Sequence, residues 1–187
     1  MSDPVLDAIR RRRVVRAMSD QPIPRELVEG ILEAARWAPT AGNRHLQRFV
    51  ATIHPGVLRV LRMVSPGMIQ HPTAAITICV DRPLVQRYGF PSDARGPSVD
   101  VGTAMATMLL AAHALDVGAG PVSSFSRAAV SVVLSLPEGW SPEMIVCLGR
   151  PAPAQLAPMA STQHLGWRDL TRWVPDAPPE TPAAAAE

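Results

Sequence analysis

At 187 residues, 47% of them hydrophobic, the chain is long enough to bury one sizeable core and too short for two comfortable domains. All eighteen basic residues are arginine, which excludes Schiff-base lysines, pyridoxal chemistry and the phosphate-loop lysine, and a net charge of +2 is too small to imply a polyanionic partner such as nucleic acid. No apolar run reaches the roughly 18 residues of a membrane span, and Asp3 and Asp7 interrupt anything like a signal peptide, so a cytoplasmic protein without membrane attachment is expected.

In chain order, Ser2 or Asp3 can cap a first helix in which Pro4 suits the first turn and Val5, Leu6 and Ile9 form an apolar stripe. It ends in the run Arg10 to Arg13. Pro24 opens a second helix, with Leu27, Val28, Ile31, Leu32 and Ala35 at helical spacing until Pro39 stops it. After a loop from Pro39 to Gln47, residues 48–53 read as a strand, 57–64 as a short helix and 74–80 as a buried, β-branched strand. Residues 81–99 carry several Pro and Gly and read as irregular. The segment from Asp100 to Leu115 is apolar nearly all round, capped by Ser98 or Asp100 and closed near Gly118, which predicts a central helix. Residues 119–124 can be a short strand or an extended loop. Ser126 can cap a helix running to Leu134, residues 137–140 make a turn, and 144–148 form the last core strand. Beyond Gly149 the chain is Pro-rich, with a short helix expected near Trp167 to Trp173. One domain over 1–173 is therefore expected, followed by a disordered Pro/Ala-rich tail over 174–187. Cys79 and Cys147 each lie in an apolar run and suit buried small hydrophobes better than a disulfide. Helices and strands interleave without a regular βαβ period, which argues for an α+β fold.

Three segments could carry chemistry. In Arg12-Arg13-Val14-Val15-Arg16, guanidinium forks converge where a helix gives way to extended chain, and such forks match phosphate geometry. Arginines at a helix C-terminus also complement its dipole, which stabilises by about 0.3–1 kcal/mol per charge with no ligand at all. In the loop from Ala38 to His45, small residues let backbone approach a ligand, and Asn43, the only asparagine, can both donate and accept. In the segment from Gly118 to Ser124, exposed backbone N–H groups could stabilise negative charge on a bound ring. No GxGxxG or GxxxxGK[ST] pattern follows a strand, and the histidines and carboxylates show no metal-ligand or triad spacing, so no metal and no covalent residue is expected. His113, within the apolar helix, reads as a core histidine.

Together these segments resemble the nitroreductase family, whose members begin with a helix ending in Arg-Arg-Ser-x-Arg, then a Pro-containing turn, a helix and an Ala-Pro-Ser-x-x-Asn loop. Here the corresponding run is Arg12 to Arg16, Pro22 and Pro24, and Ala38-Pro39-Thr40-Ala41-Gly42-Asn43. The segment from Asp100 to Gly118 is similar to the family's central helix, and Leu136 to Trp140 and Leu148 to Pro151 match later landmarks in order, so the resemblance spans roughly residues 4–173. It implies a mixed central sheet flanked by helices in an intertwined homodimer, with FMN at the interface. It further implies that Arg12, Arg13, Val14 and Arg16 contact the FMN phosphate and ribityl chain, that Pro39, Thr40, Ala41 and Asn43 reach the flavin from the partner subunit, and that Pro121, Val122 and Ser123 flank the isoalloxazine ring.

The implied activity is transfer of hydride or electrons from NAD(P)H to a nitroaromatic, a quinone or a similar small acceptor in a ping-pong cycle, with the chemistry on FMN and no catalytic side chain. A specialised dehydrogenase or dehalogenase, or a protein that sequesters flavin without turnover, are the alternatives. Val14 stands where the family has Ser, and His45, Leu46 and Gln47 stand where Gln-Pro-Trp is common, altering the substrate-side wall. The C-terminal Arg or Lys for the phosphate is missing, and His164 is its nearest positional substitute. The short middle of the chain implies a reduced lid and a more open flavin.

Overall fold

The computed structural model describes residues 3–91, 93–152 and 166–174. The chain divides into two units, Met1–Leu156 and Ala157–Glu187. In the second, the described residues hold one 3-10 turn, Trp167–Leu170, within the stretch expected to be helical. The tail expectation over 175–187 and His164 lie outside the described residues.

The first unit opens with α1, Pro4–Arg11, whose N-terminal N–H groups would otherwise lack partners. Asp3 caps it, its Oδ1 accepting from the Val5 and Leu6 N–H groups at 2.9 and 3.2 Å. Helix α2, Arg25–Arg36, follows Pro24 and buries Val28, Ile31 and Ala35. A four-stranded sheet is built from β1, Gln47–Thr52, β2, Ala74–Asp81, β3, Gly118–Val122, and β4, Trp140–Gly149, in the order β1-β2-β4-β3. Every neighbouring pair is antiparallel, where a mixed sheet was expected. The connections explain this: α3, Pro55–Met63, returns the chain from β1 to β2, and α6, Arg127–Val133, returns it from β3 to β4, so each strand enters from the end its neighbour leaves.

Alternate residues of the two central strands face opposite sides of the sheet. Ile76, Ile78, Val146 and Leu148 pack with α2 and with α5, Gly96–Ala114, whereas Ala75, Ile145 and Cys147 pack with Leu58 and Leu61 of α3 and Val130 of α6. Burial on both faces is why residues 74–80 of β2 and 144–148 of β4 read as nearly continuous apolar runs rather than as alternating ones. Burial pushes the Cys79 and Cys147 thiols up to about 12, with the Glu143 charge adding to the effect at Cys79. Cys79 lies opposite Pro142 and Cys147 opposite Ala75, so the two thiols occupy separate places along the sheet and are both free.

Two stretches depart from expectation. Residues 81–99 are not irregular throughout: α4, Arg82–Arg87, is capped by Asp81, whose Oδ1 accepts from the Leu84 N–H at 3.0 Å, and α5 begins at Gly96. Pro83 and Pro97 sit in the first turns of these helices, where a missing N–H costs nothing. Neither Ser98 nor Asp100 caps α5; Arg95 occupies the cap without a side-chain hydrogen bond. Helix α5 also has one face on the sheet and the other outward, leaving Val99 60% exposed.

Glu143 ties three elements together. Arg82 reaches its Oε1 at 2.7 Å, Arg127 its Oε2 at 2.8 Å and the Ser141 hydroxyl its Oε1 at 2.8 Å. Burial alone would raise this carboxyl, but the hydrogen bonds from Ser141, Arg127 and Arg82, with the charge of Arg127, together hold it below its ordinary range.

Candidate functional site

The arginine segment leaves α1 at Arg12, whose φ of −53° and ψ of 132° break the helix. The chain then runs beside β3, with the Val15 N–H donating to the Ala119 carbonyl at 2.9 Å. It continues along the chain that follows β4 through Ser19 N–H to Arg150 O at 2.9 Å, an antiparallel bridge between Met18 and Pro151, and Ala152 N–H to Ala17 O at 3.0 Å. The two glycines of β3 permit this approach. A Cβ at Gly118 would stand 2.9 Å from Val15 Cγ1, and one at Gly120 would stand 2.8 Å from the Val15 carbonyl oxygen and 2.6 Å from Gln70 Nε2.

The arginines differ in what they touch. Arg13 Nη1 donates to the carbonyls of Arg10 at 2.6 Å and Arg12 at 3.0 Å, closing the C-terminus of α1. Arg12 Nη1 is buried and has no partner among the described residues. A guanidinium N–H withdrawn from water without an acceptor is costly, and a phosphate oxygen is an acceptor of the right charge and geometry. Arg16 is half-buried and forms no ion pair among the described residues. Arg13 lines a groove of about 280 Å³ with Arg11, Val15, Leu109, His113 and Asp116. His113, expected in the core, is thus half-buried on a groove wall.

Of the residues expected to flank the ring, Val122 is buried in the core, so its backbone rather than its side chain is available, while Pro121 is half-buried and Ser123 exposed. The strand β3 is an edge of the sheet, where Pro121 breaks no ladder. The Gly67 N–H donates to the Ser124 carbonyl at 3.0 Å and fixes the loop beyond β3.

The structure brings the Arg12–Arg16 segment and β3 together and places the Ala38–His45 loop elsewhere. Pro39 to Asn43 packs on the first turns of α5: the Ala41 N–H donates to Asp100 Oδ1 at 2.8 Å, and the Thr103 hydroxyl donates to the Pro39 carbonyl at 3.0 Å. Pro39 and Asn43 are exposed, Thr40 and Ala41 half-buried. Of the residues in the altered wall, Leu46 and Gln47 are buried and His45 alone is exposed. Sequence reasoning missed Asp100 as a loop contact, since its place near the start of a helix suggested a cap. Among the described residues no cluster of His, Cys, Asp and Glu could hold a metal, and no helix is long and apolar enough to cross a membrane.

Fold and site define an α+β protein with an arginine segment running beside an edge strand. The sequence pattern of the Nitroreductase family matches residues 9–76 and 70–150. A protein of Methanothermobacter thermautotrophicus, provisionally named an NADH dehydrogenase/NAD(P)H nitroreductase, is 32% identical over 154 residues, covering 79% of this chain and 78% of its own. A 5,6-dimethylbenzimidazole synthase of Rhodospirillum rubrum is 29% identical over 191 residues, covering 87% and 89%. Among solved structures, a provisionally assigned nitroreductase of Desulfovibrio desulfuricans in complex with FMN superimposes with a TM-score of 0.77 at 28% identity, covering 94% of this chain and 99% of that one. The chain belongs to the nitroreductase family.

Proposed function

We propose that the protein is an FMN-dependent NAD(P)H oxidoreductase acting on a small acceptor, with its flavin held between two copies of the chain. The observation that carries this reading is the buried Arg12 Nη1, without a partner among the described residues, on the segment beside β3. Arg12 and Arg16 would hold the phosphate, Arg13 would brace the end of α1 beneath them, and Val14 would offer backbone. Pro121, Val122 and Ser123 would flank the ring, Val122 through its backbone. When bound, FMN supplies the ring that takes hydride from NAD(P)H and passes electrons on, so donor and acceptor use the site in turn in a ping-pong cycle. The acceptor class is a nitroaromatic, a quinone or a similar planar electron sink.

Two features of this chain support a homodimer. No residue of the Val5, Leu6 and Ile9 stripe on α1 is buried in the protomer, Val5 being 65% exposed, and Val99 is a further exposed apolar residue on α5. Within the Pro39, Thr40, Ala41 and Asn43 loop, Pro39 and Ala41 are hydrogen-bonded to α5 rather than to the arginine segment, as expected of a loop that serves the flavin of a partner copy.

The test is the visible spectrum of the purified protein, followed by identification of the released chromophore. Steady-state oxidation of NADH and NADPH with menadione and with a nitroaromatic should then give parallel double-reciprocal plots. A colourless protein that takes up no FMN would refute the reading, and tight FMN without turnover would instead define a flavin-holding protein.

A further inference from the structure

We propose that Asp100 is a positioning residue that sets the shape in which the Pro39–Asn43 loop meets the flavin; this rests on the flavin-site reading above. Asp100 is 2% exposed. One carboxylate oxygen accepts from the Ala41 N–H at 2.8 Å, and the other is buried with no partner among the described residues. Desolvation drives the carboxyl above its ordinary range even though the Ala41 N–H and the charge of His45 act in the opposite direction. The common reason for an acid near a helix start, its interaction with the dipole, does not apply: the first turn of α5 holds no acidic residue, and the dipole's effect fades beyond that turn. What the carboxylate does touch is the loop.

The loop needs holding. Gly42, Asn43 and His45 have φ of 58°, 54° and 50°, so two residues with side chains occupy the left-handed region within a short span. Three contacts from α5 secure that shape. Besides Asp100, the Thr103 hydroxyl donates to the Pro39 carbonyl at 3.0 Å. Gly96 admits close approach, because a Cβ there would lie 3.2 Å from Ala41 Cβ. The tethers fall on Pro39 and Ala41, and Asn43, the residue with both donor and acceptor, is carried on the strained turn that follows. Releasing the Ala41 tether should therefore leave the fold standing while the amide of Asn43 loses its fixed direction.

The experiment compares Asp100→Ala, Asp100→Asn and Thr103→Val with the parent, all as purified full-length proteins titrated with FMN. Affinity is read from flavin fluorescence, ring surroundings from visible circular dichroism of the bound flavin, and fold from far-ultraviolet dichroism. Asp100→Ala should weaken FMN about tenfold and change the visible dichroism with the far-ultraviolet spectrum unaltered. Asp100→Asn, whose amide oxygen can still accept from the Ala41 N–H, should restore both. Thr103→Val should shift the visible dichroism in the same direction by less, and it decides the matter if Asp100→Ala does not fold. A parent that binds FMN while Asp100→Ala and Thr103→Val match it in affinity and visible dichroism overturns the role of Asp100 alone. A parent that takes up no FMN overturns the flavin-site reading and this inference with it.

Discussion

Replacing Arg12 by Ala should separate flavin affinity from stability in a way that replacing Arg13 does not. Arg12 Nη1 is buried with no acceptor among the described residues, whereas Arg13 Nη1 already serves the carbonyls of Arg10 and Arg12 at 2.6 and 3.0 Å. A charge-assisted hydrogen bond to a phosphate contributes about 1.5–3 kcal/mol, so Arg12→Ala should weaken FMN binding about 10- to 150-fold. In the flavin-free protein the same change removes an unsatisfied buried donor that costs about 1–3 kcal/mol, offset by lost packing of the arginine stem. Its unfolding free energy should therefore stay within about 1 kcal/mol of the parent or rise. Arg13→Ala should lower it by about 0.5–1.5 kcal/mol through the loss of the α1 cap and change FMN affinity only a few-fold. Fluorescence titration with FMN and urea unfolding of the flavin-free proteins supply both numbers. The reasoning fails if Arg12→Ala binds FMN as tightly as the parent, or if Arg13→Ala weakens FMN more than Arg12→Ala does.

Three other outcomes are expected. Gly120→Ala places a Cβ 2.8 Å from the Val15 carbonyl oxygen, and because backbone cannot yield as a side chain can, it should destabilise the protein by about 1–3 kcal/mol and weaken FMN together; unchanged thermal unfolding would show that the Arg12–Arg16 segment does not lie against β3. The carboxyl of Glu143 is held below its ordinary value of 4.5, so the stability it confers is complete above that value and lost as the pH falls through the lower folded one. The advantage of the parent over Glu143→Gln in urea unfolding should accordingly shrink on acidification below 4.5, and a gap that widens there would contradict the assignment. Cys79 and Cys147, buried and pushed up to about 12, should not react with an aromatic disulfide reagent at pH 8 until the protein is unfolded, and rapid labelling of the native protein would contradict the sheet register.

Much of the fold was legible because burial leaves a local trace. Helical spacing of Val28, Ile31 and Ala35, and the β-branched runs of β2 and β4, mark elements whose faces are covered. Strand direction left no such trace, since it is set by what α3 and α6 connect, and the sheet proved antiparallel where a mixed one was expected. Pro83 and Pro97 misled for a simple reason: the residue that breaks a helix in its interior also suits its first turn, and both open helices here. The Asp3, Asp81 and Ser126 caps conform to local rules, whereas Asp100 is engaged by Ala41, distant in sequence.

The candidate site was legible as three segments, not as roles within them. Adjacent arginines look alike in sequence, and only the path of the chain beside β3 leaves Arg12 Nη1 without a partner among the described residues while turning Arg13 back on α1. Leu46 and Gln47 stand where a substrate wall was expected to be altered, but at the entry to β1 both are buried in the protomer and His45 is left outside. His113 sits on an apolar helix, yet it faces the groove beside Arg13 because the outer face of α5 is not fully covered.

Grip on a flavin phosphate is measured most directly by comparing FMN with riboflavin, which differs only in lacking that group. The parent protein, titrated with each under the same conditions, should bind FMN at least about a hundredfold more tightly, the effect of two charge-assisted contacts. Equal affinity for the two flavins would mean that the guanidinium groups at the end of α1 do not hold the phosphate.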